Sequence, residues 1–248
     1  FYMYENKIKP YIDVYLSSLG NSKLKNIIEY SVIGGKCIRG FIVQHIIETL
    51  SGVTDCWEPI ASIELLHTAS LIIDDLPCMD NDLFRRGKKS TFNNFGEREA
   101  ICSALFIMTD TIKINFNKML EKRNRNTLIN NDEIIELTMK MMNEWSEKMG
   151  KNLIVGQLMD LNEDVKKLFN VEIKDNDKLI MIYKTSSLFM LSFFLGGCYS
   201  KILDPEKNKN IDFNDFIDMG LHFGIMFQLM DDSNDTKNDK EKNAYNYV

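Results

Sequence analysis

Proline and glycine are scarce, with four and 13 respectively in 248 residues. A fold of many short strands joined by tight turns needs more of both. Basic charge is also in deficit: 30 Lys and Arg stand against 36 Asp and Glu, a net charge of −6. Such a balance offers no general basic face, so nucleic acid is not an expected partner. Any anionic substrate must then be met by a local group of basic residues or by metal ions. The five cysteines, at 37, 56, 78, 102 and 198, are not spaced as zinc ligands or as a redox pair. Their odd count argues against a disulfide framework. A reducing compartment follows: the cytoplasm, or an organelle interior if a targeting segment has been removed. Long hydrophobic runs are missing too. The longest, Leu188–Leu195, falls far short of a membrane span, so no span is expected. The chain opens at Phe1 without a methionine and is read as one domain over 1–248, open to trimming at both ends.

What is present is apolar residues at three- and four-residue spacing. Ile134, Leu137, Met141, Trp145 and Met149 form one stripe over Glu133–Gly150. Phe213, Ile217, Leu221, Gly224, Phe227 and Met230 form another over Phe213–Asp235. Ile60–Asp75 is apolar nearly all round, the pattern of a central buried helix. The fold class is all-α. Breaks are expected near Gly20–Ser22, Gly52–Pro59, Pro77–Ser90, Asn124–Asp132, Asn162–Asp177 and Asp204–Asn214.

Two aspartate clusters each follow a greasy helix. In the first, Asp74, Asp75, Asp80 and Asp82 surround Pro77, which disfavours helix at Leu76 and so puts Asp74 and Asp75 near a helix C-terminus. That end already carries partial negative charge, so several acids there call for a cation. In the second, Asp231, Asp232 and Asp235 follow the apolar stretch Phe223–Met230, with Asp231 and Asp235 one turn apart. Solvated surface acids are the bland alternative for either cluster alone. Magnesium takes hard oxygen ligands, often one or two carboxylates together with substrate phosphates. Two carboxylate walls on one cavity would suit magnesium ions holding a diphosphate. Neither cluster has the glycine and glutamate spacing of an EF-hand.

Basic residues lie close by. Gly34-Gly35-Lys36-Cys37-Ile38-Arg39 joins a flexible glycine pair to two cations, whose three-residue spacing predicts one helical face. Arg85 and Arg86 follow the first acid cluster, either offsetting it or binding phosphate oxygens through their planar forks. His67 lies seven residues before Asp74, two turns along the same helix and on the same side. His45 and His222 have no such company and are read as structural. Lys184-Thr185 interrupts the apolar Leu179–Leu195, where a lysine must snorkel or meet an anion.

These motifs occur in order over Ile28–Asp239, and in this the chain resembles the trans-isoprenyl diphosphate synthases, the farnesyl and geranylgeranyl diphosphate synthase group. The resemblance is carried by Gly34–Arg39, by Glu64-Leu-Leu-His67 with Asp74-Asp75-xxxx-Asp80 and Arg85-Arg86-Gly87, by Gly156-Gln157-xx-Asp160-Leu161, by Lys184-Thr185, and by Phe227-Gln228-xx-Asp231-Asp232-xx-Asp235. It implies a bundle of long, mostly antiparallel helices around a deep cavity, the isoprenoid synthase fold, usually as a homodimer. It implies three magnesium ions on Asp74, Asp75, Asp80, Asp231, Asp232 and Asp235. Lys36, Arg39, His67 and Arg86 would bind isopentenyl diphosphate. Arg85, Lys184, Thr185 and Gln228 would face the allylic diphosphate, with catalysis turning on Asp74, Asp75, Lys184 and Asp231.

The chain departs from the family's pattern in places. Cys37 stands where a second basic residue is common, Gly40 where proline is usual and Phe92 where histidine is frequent, and Cys102–Leu105 replaces a common Gly-Asp-Ala-Leu. The family's C-terminal helices would lie beyond Val248. Ala69, five residues before Asp74, is small where farnesyl-producing relatives often carry an aromatic, which implies room for a geranylgeranyl product. The alternatives are a farnesyl or longer product, a non-catalytic subunit that tunes a partner synthase, and a terpene cyclase.

Overall fold

The computed structural model describes residues 2–124, 130–161 and 179–242, with side chains over 6–121, 130–161 and 179–231. The described residues are helical apart from one two-stranded ribbon and the connections. In chain order the helices are α1 (Tyr2–Ser18), α2 (Lys23–Val32), α3 (Ile38–Ser51), α4 (Trp57–Asp74), α5 (Thr91–Phe95), α6 (Glu97–Asn124) and α7 (Asn131–Trp145), then α8 (Ile154–Asp160), α9 (Ser187–Leu203) and α10 (Phe213–Lys242). π-helical stretches at Ser146–Leu153 and Met181–Ser186 lead into α8 and α9. Strands β1 (Phe84–Arg85) and β2 (Lys88–Lys89) form the ribbon.

Local chemistry sets several boundaries. Ser22 Oγ accepts from the Lys25 N–H at 3.1 Å and opens α2. Asn130 Oδ1 does the same for Glu133 N–H at 2.8 Å before α7, and Asp212 Oδ1 for Asn214 N–H at 2.8 Å before α10. Gly52 closes α3 with φ 73°, in the left-handed region that glycine enters without strain. Helix α4 stops at Asp74, three residues before Pro77, as the sequence predicts. The expected break at Asn162–Asp177 lies outside the described residues.

The chain divides into two compact units. The first comprises Phe1–Met142 and Leu195–Ile211, the second Asn143–Phe194 and Asp212–Val248. In the first, α4 is the centre and packs chiefly on α6, with α1 and α3 on other sides. A buried polar network links α9, α6 and α4. Tyr199 Oη donates to Asn115 Oδ1 at 2.7 Å, and Asn115 Nδ2 donates to Ser62 Oγ and to the Thr111 carbonyl, both at 2.8 Å.

In the second unit, α10 lies close against the chain from Met181 to Phe194 because glycines face it. A Cβ on Gly224 would fall 2.6 Å from Ser186 Cα, and one on Gly220 would fall 2.5 Å from Met190 Cα. Phe189 packs against Phe223 and Phe227 with ring centroids 5.1 and 5.2 Å away. The segment Met181–Leu203 is longer than the apolar run read from sequence, with mean hydropathy 1.3, and by length and composition could cross a membrane. Here 83% of it is buried, as expected of a core helix.

Because Gly220 abuts backbone rather than a side chain that could swing away, Gly220→Ala should destabilise the protein by about 1–3 kcal/mol. Urea unfolding of the two proteins measures this; an unchanged midpoint would show that α10 has room to retreat.

Candidate functional site

The sequence predicts a helical face shared by Lys36 and Arg39. The structure differs: α3 starts only at Ile38, and Cys37 before it sits at φ 51°, in the left-handed region. Lys36 is therefore an exposed loop residue, while Arg39 is in the first turn of α3 and half-buried. Gly34, at φ 89°, turns the chain between α2 and α3.

Cys37 supplies no side-chain cap to α3. The cap comes from another helix instead. Glu64 of α4, 3% exposed, accepts the Gly40 N–H at 2.6 Å, and the Arg39 backbone also bonds to it. A proline at position 40 would lack that donor, and any Cβ there would come within 2.9 Å of Glu64 Cγ. The departure noted in the sequence thus has a structural use. Burial is the leading influence on Glu64 and raises its pKa, while Gly40, Arg39 and Arg86 oppose the rise.

Arg86 arrives from the ribbon. Arg86 and Gly87, at φ 55° and 75°, make its two-residue turn, which the right-handed twist of the strands favours. The Arg86 Nη1 donates to the Ser31 and Val32 carbonyls, both at 3.0 Å, and so closes the C-terminus of α2. Lys88 reinforces the same end, donating to Tyr30 O and to Ile33 O, with its ammonium 4.3 Å from the Tyr30 ring centroid. Gly35 makes way for the arginine: a Cβ there would lie 3.0 Å from Nη2. The glycine pair thus has a second use that the sequence reading did not see.

His67 is the point on which these cations converge. Burial first, then Arg39, Arg86 and Arg85, push its pKa well below the ordinary histidine value, so the imidazole is neutral at pH 7. Arg39 is itself pushed down to about 10, by burial first, with Glu64 opposing, and stays protonated. One end of this cluster can therefore hold a polyanion with two guanidiniums and a neutral ring N–H.

Two turns on, the charge reverses. The loop after α4 folds back so that the Asp80 N–H donates to the Asp74 carbonyl at 2.9 Å. Asp74 is half-buried and Asp80 exposed. Asp75 turns inward, 2% exposed, and takes both the Nε (2.8 Å) and the Nη2 of Arg85. Arg85 also reaches Asp82 at 3.0 Å. Burial raises the Asp75 pKa and Arg85 opposes it. Among the described residues, no three His, Cys, Asp or Glu side chains converge as a metal site. The carboxylates of Asp74 and Asp80 are the hard oxygen donors that magnesium prefers, and a backbone bond holds the two residues together.

The second unit carries the remaining residues. Lys184 pairs with Asp160, the anion its apolar surroundings call for. Thr185 Oγ1 donates to Gln228 Oε1 at 2.8 Å. Lys184 and Thr185 sit in the π-helical stretch, where the widened turn of backbone is common at functional sites. Gly156 of α8 lies so close that a Cβ would run into the Lys184 backbone N and fall 2.8 Å from the Tyr183 carbonyl carbon. Asp231 is half-buried on α10; the side chains of Asp232 and Asp235 lie outside the described residues. Ala69 is fully buried on α4.

Glu64 and Asp160 were quoted within motifs but given no role. A lone glutamate inside the apolar Ile60–Asp75 stretch was the available signal for the first. No sequence signal marked the inward turn of Asp75 or the closeness of Gly156.

The polyprenyl synthetase family profile matches residues 21–246. The farnesyl diphosphate synthase of Micrococcus luteus is 31% identical over 215 residues, 85% of this chain and 66% of that protein. Geranylgeranyl pyrophosphate synthase 4 of Arabidopsis thaliana is 31% identical over 86% of this chain and 53% of its own. The chain thus spans about two thirds and about half of the lengths of these two relatives. Among solved structures, the geranyltranstransferase of Thermotoga maritima superposes with a TM-score of 0.70 at 27% identity, covering 96% of this chain and 79% of that one. The all-α architecture is that of the isoprenoid synthase fold.

The depressed pKa of His67 has a consequence for stability. Unfolded, its imidazole titrates near 6.5. As pH falls below that value the unfolded chain takes up a proton that the folded one refuses, so stability is lost. The drop in unfolding free energy from pH 7 to pH 5 should shrink in His67→Gln; equal drops in both proteins would place the ring in a wetter setting.

Proposed function

Since the chain belongs to the polyprenyl synthetase family, we propose that it joins isopentenyl diphosphate head to tail to an allylic diphosphate. The observation that carries this reading is the reversal of charge along α4. A basic cluster around His67 suits a diphosphate held directly by cations. An acidic loop two turns away suits one held through metal. Two diphosphates handled by opposite means is what this reaction requires, and a cyclase has no use for the first.

Lys36, Arg39, Arg86 and neutral His67 hold isopentenyl diphosphate. Lys184, Thr185 and Gln228 orient the allylic diphosphate, with Arg85 beside the acid loop. Magnesium would be held by Asp74, Asp75, Asp80, Asp231, Asp232 and Asp235, in the family's number of three ions; when bound it would neutralise charge on the departing diphosphate. Heterolysis of the allylic C1–O bond sends its electron pair to the diphosphate and leaves an allylic cation. The terminal alkene of isopentenyl diphosphate forms the new C–C bond to that carbon. A proton then leaves C2 for the released diphosphate and restores the double bond. Apolar side chains around the site keep water from trapping the cation.

The product we propose is geranylgeranyl diphosphate, because small, buried Ala69 leaves room beyond the acid loop. A farnesyl product is the alternative, favoured by the name of the Micrococcus relative. We also propose a homodimer: Ile101, Leu105, Phe116 and Leu120 are 36–56% exposed along one 28-residue helix, α6. A single domain in the cytoplasm, or in an organelle interior, completes the reading.

Purified protein with magnesium, labelled isopentenyl diphosphate and geranyl diphosphate should give chain-extended product. Asp74→Asn and Asp231→Asn should each lower kcat about 10²–10³-fold. Turnover only after adding a partner synthase would mark a regulatory subunit, and allylic diphosphate consumed without label uptake a cyclase. Chromatography of the same products tests the chain-length wall: Ala69→Tyr should shorten them, and an unchanged profile would remove Ala69 from that role.

A further inference from the structure

Of the three buried carboxylates on α4 and at its C-cap, Glu58 and Glu64 have no part in the proposed reaction, and Glu64 is the one near its basic residues. It lies one turn before His67, inside the basic cluster, yet offers no surface to substrate. We infer that Glu64 is the positioning residue of the diphosphate-binding arginines, and that Gly40 is what holds it in place. This deepens the proposed function and rests on it.

The geometry is specific. A helix N-terminus leaves backbone N–H groups without intrahelical partners. That of α3 has no side-chain cap at Cys37, and Glu64 fills the gap through the Gly40 N–H at 2.6 Å. This fixes the first turn of α3, which carries Arg39, against α4, which carries His67. The same carboxylate is the leading opposite charge for both Arg39 and Arg86. Two guanidiniums near one imidazole repel each other, and an anion close enough to act on both lets them stay charged and close together before substrate arrives. Gly40 is the only residue type that fits: a Cβ would come within 2.9 Å of Glu64 Cγ and 3.2 Å of Ile8 Cγ2.

A purely repulsive carboxylate gives the opposite expectation. If Glu64 only added negative charge, removing it would tighten binding of a diphosphate. If it positions the arginines, removing it loosens that binding. Glu64→Gln keeps the shape and the acceptor for Gly40 but loses the charge. Gly40→Ala keeps the charge but displaces the carboxylate.

Calorimetry of isopentenyl diphosphate, and separately of geranyl diphosphate with magnesium, reads both variants without needing turnover. Each variant should weaken isopentenyl diphosphate about tenfold, the order of one charge-assisted hydrogen bond. Geranyl diphosphate should stay within about twofold, since its proposed ligands lie elsewhere. The double variant should be little worse than the more affected single one, because both act through the same carboxylate. Thermal unfolding identifies a variant that fails to fold, in which case the other decides. Tighter binding, unchanged binding, or equal weakening of both ligands would overturn the inference. Wild-type protein that binds neither ligand would overturn the proposed function itself.

Discussion

The architecture of the first unit depends on how α4 disposes of buried negative charge. Glu58, Glu64 and Asp75 are 7%, 3% and 2% exposed on a helix otherwise packed with aliphatic side chains. A buried carboxylate without a partner is strongly destabilising, so each must be answered from outside the helix. Each is answered by a different element. Lys118 of α6 meets Glu58 at 2.6 Å, the N-terminus of α3 meets Glu64, and Arg85 of the ribbon meets Asp75. Apolar packing would let α4 slide or rotate among its neighbours by a turn. Three ion-bearing contacts at different heights fix one register, and that register places His67 beside the arginines.

The second unit reaches similar precision by another route. Gly156, Gly220 and Gly224 let helices approach until backbone meets backbone. Between them runs the π-helical stretch with Lys184 and Thr185. A wider helical turn leaves some carbonyls poorly matched, and close helices on either side hold it in shape. The outcome is a lysine and a threonine set on a rigid support within a greasy helix. Here steric contact does what charge pairing does around α4.

How far the sequence could be read depended on whether a feature was local. The all-α class, the end of α4 before Pro77, and the buried character of Ile60–Asp75 all follow from neighbouring residues. Lys184 among apolar residues had either to snorkel or to meet an anion, and it meets Asp160. Lys36 and Arg39 were misplaced on one face because nothing local forces Cys37 into the left-handed region. The helix start there is set by Glu64, 24 residues away. Asp75 looked equivalent to Asp74, and only the position of Arg85, set by a ribbon ten residues on, makes it inward-facing. The glycine pair at 34 and 35 read only as a flexible hinge beside two cations; what approaches Gly35 closely is the guanidinium of Arg86.

The order of charges along α4 also decides which diphosphate can go where. The C-terminal end of the helix carries partial negative charge, and Asp74 adds to it while Asp75 is answered by Arg85. A bare diphosphate would be repelled from that end, so in the proposed reaction only one accompanied by divalent cations can lie there. Two turns earlier the carbonyls are engaged within the helix and the field is weak. There Arg39 and Arg86 dominate, and a diphosphate needs no metal. The leaving group belongs at the metal-held end, since it gains negative charge as the C1–O bond breaks. In that reaction isopentenyl diphosphate keeps its own diphosphate throughout and needs only to be anchored, which the arginines and a neutral histidine would do without drawing electrons from its alkene. A single helix dipole, with acids at one end and borrowed cations along its flank, would thus be enough to give the two proposed substrates distinct places.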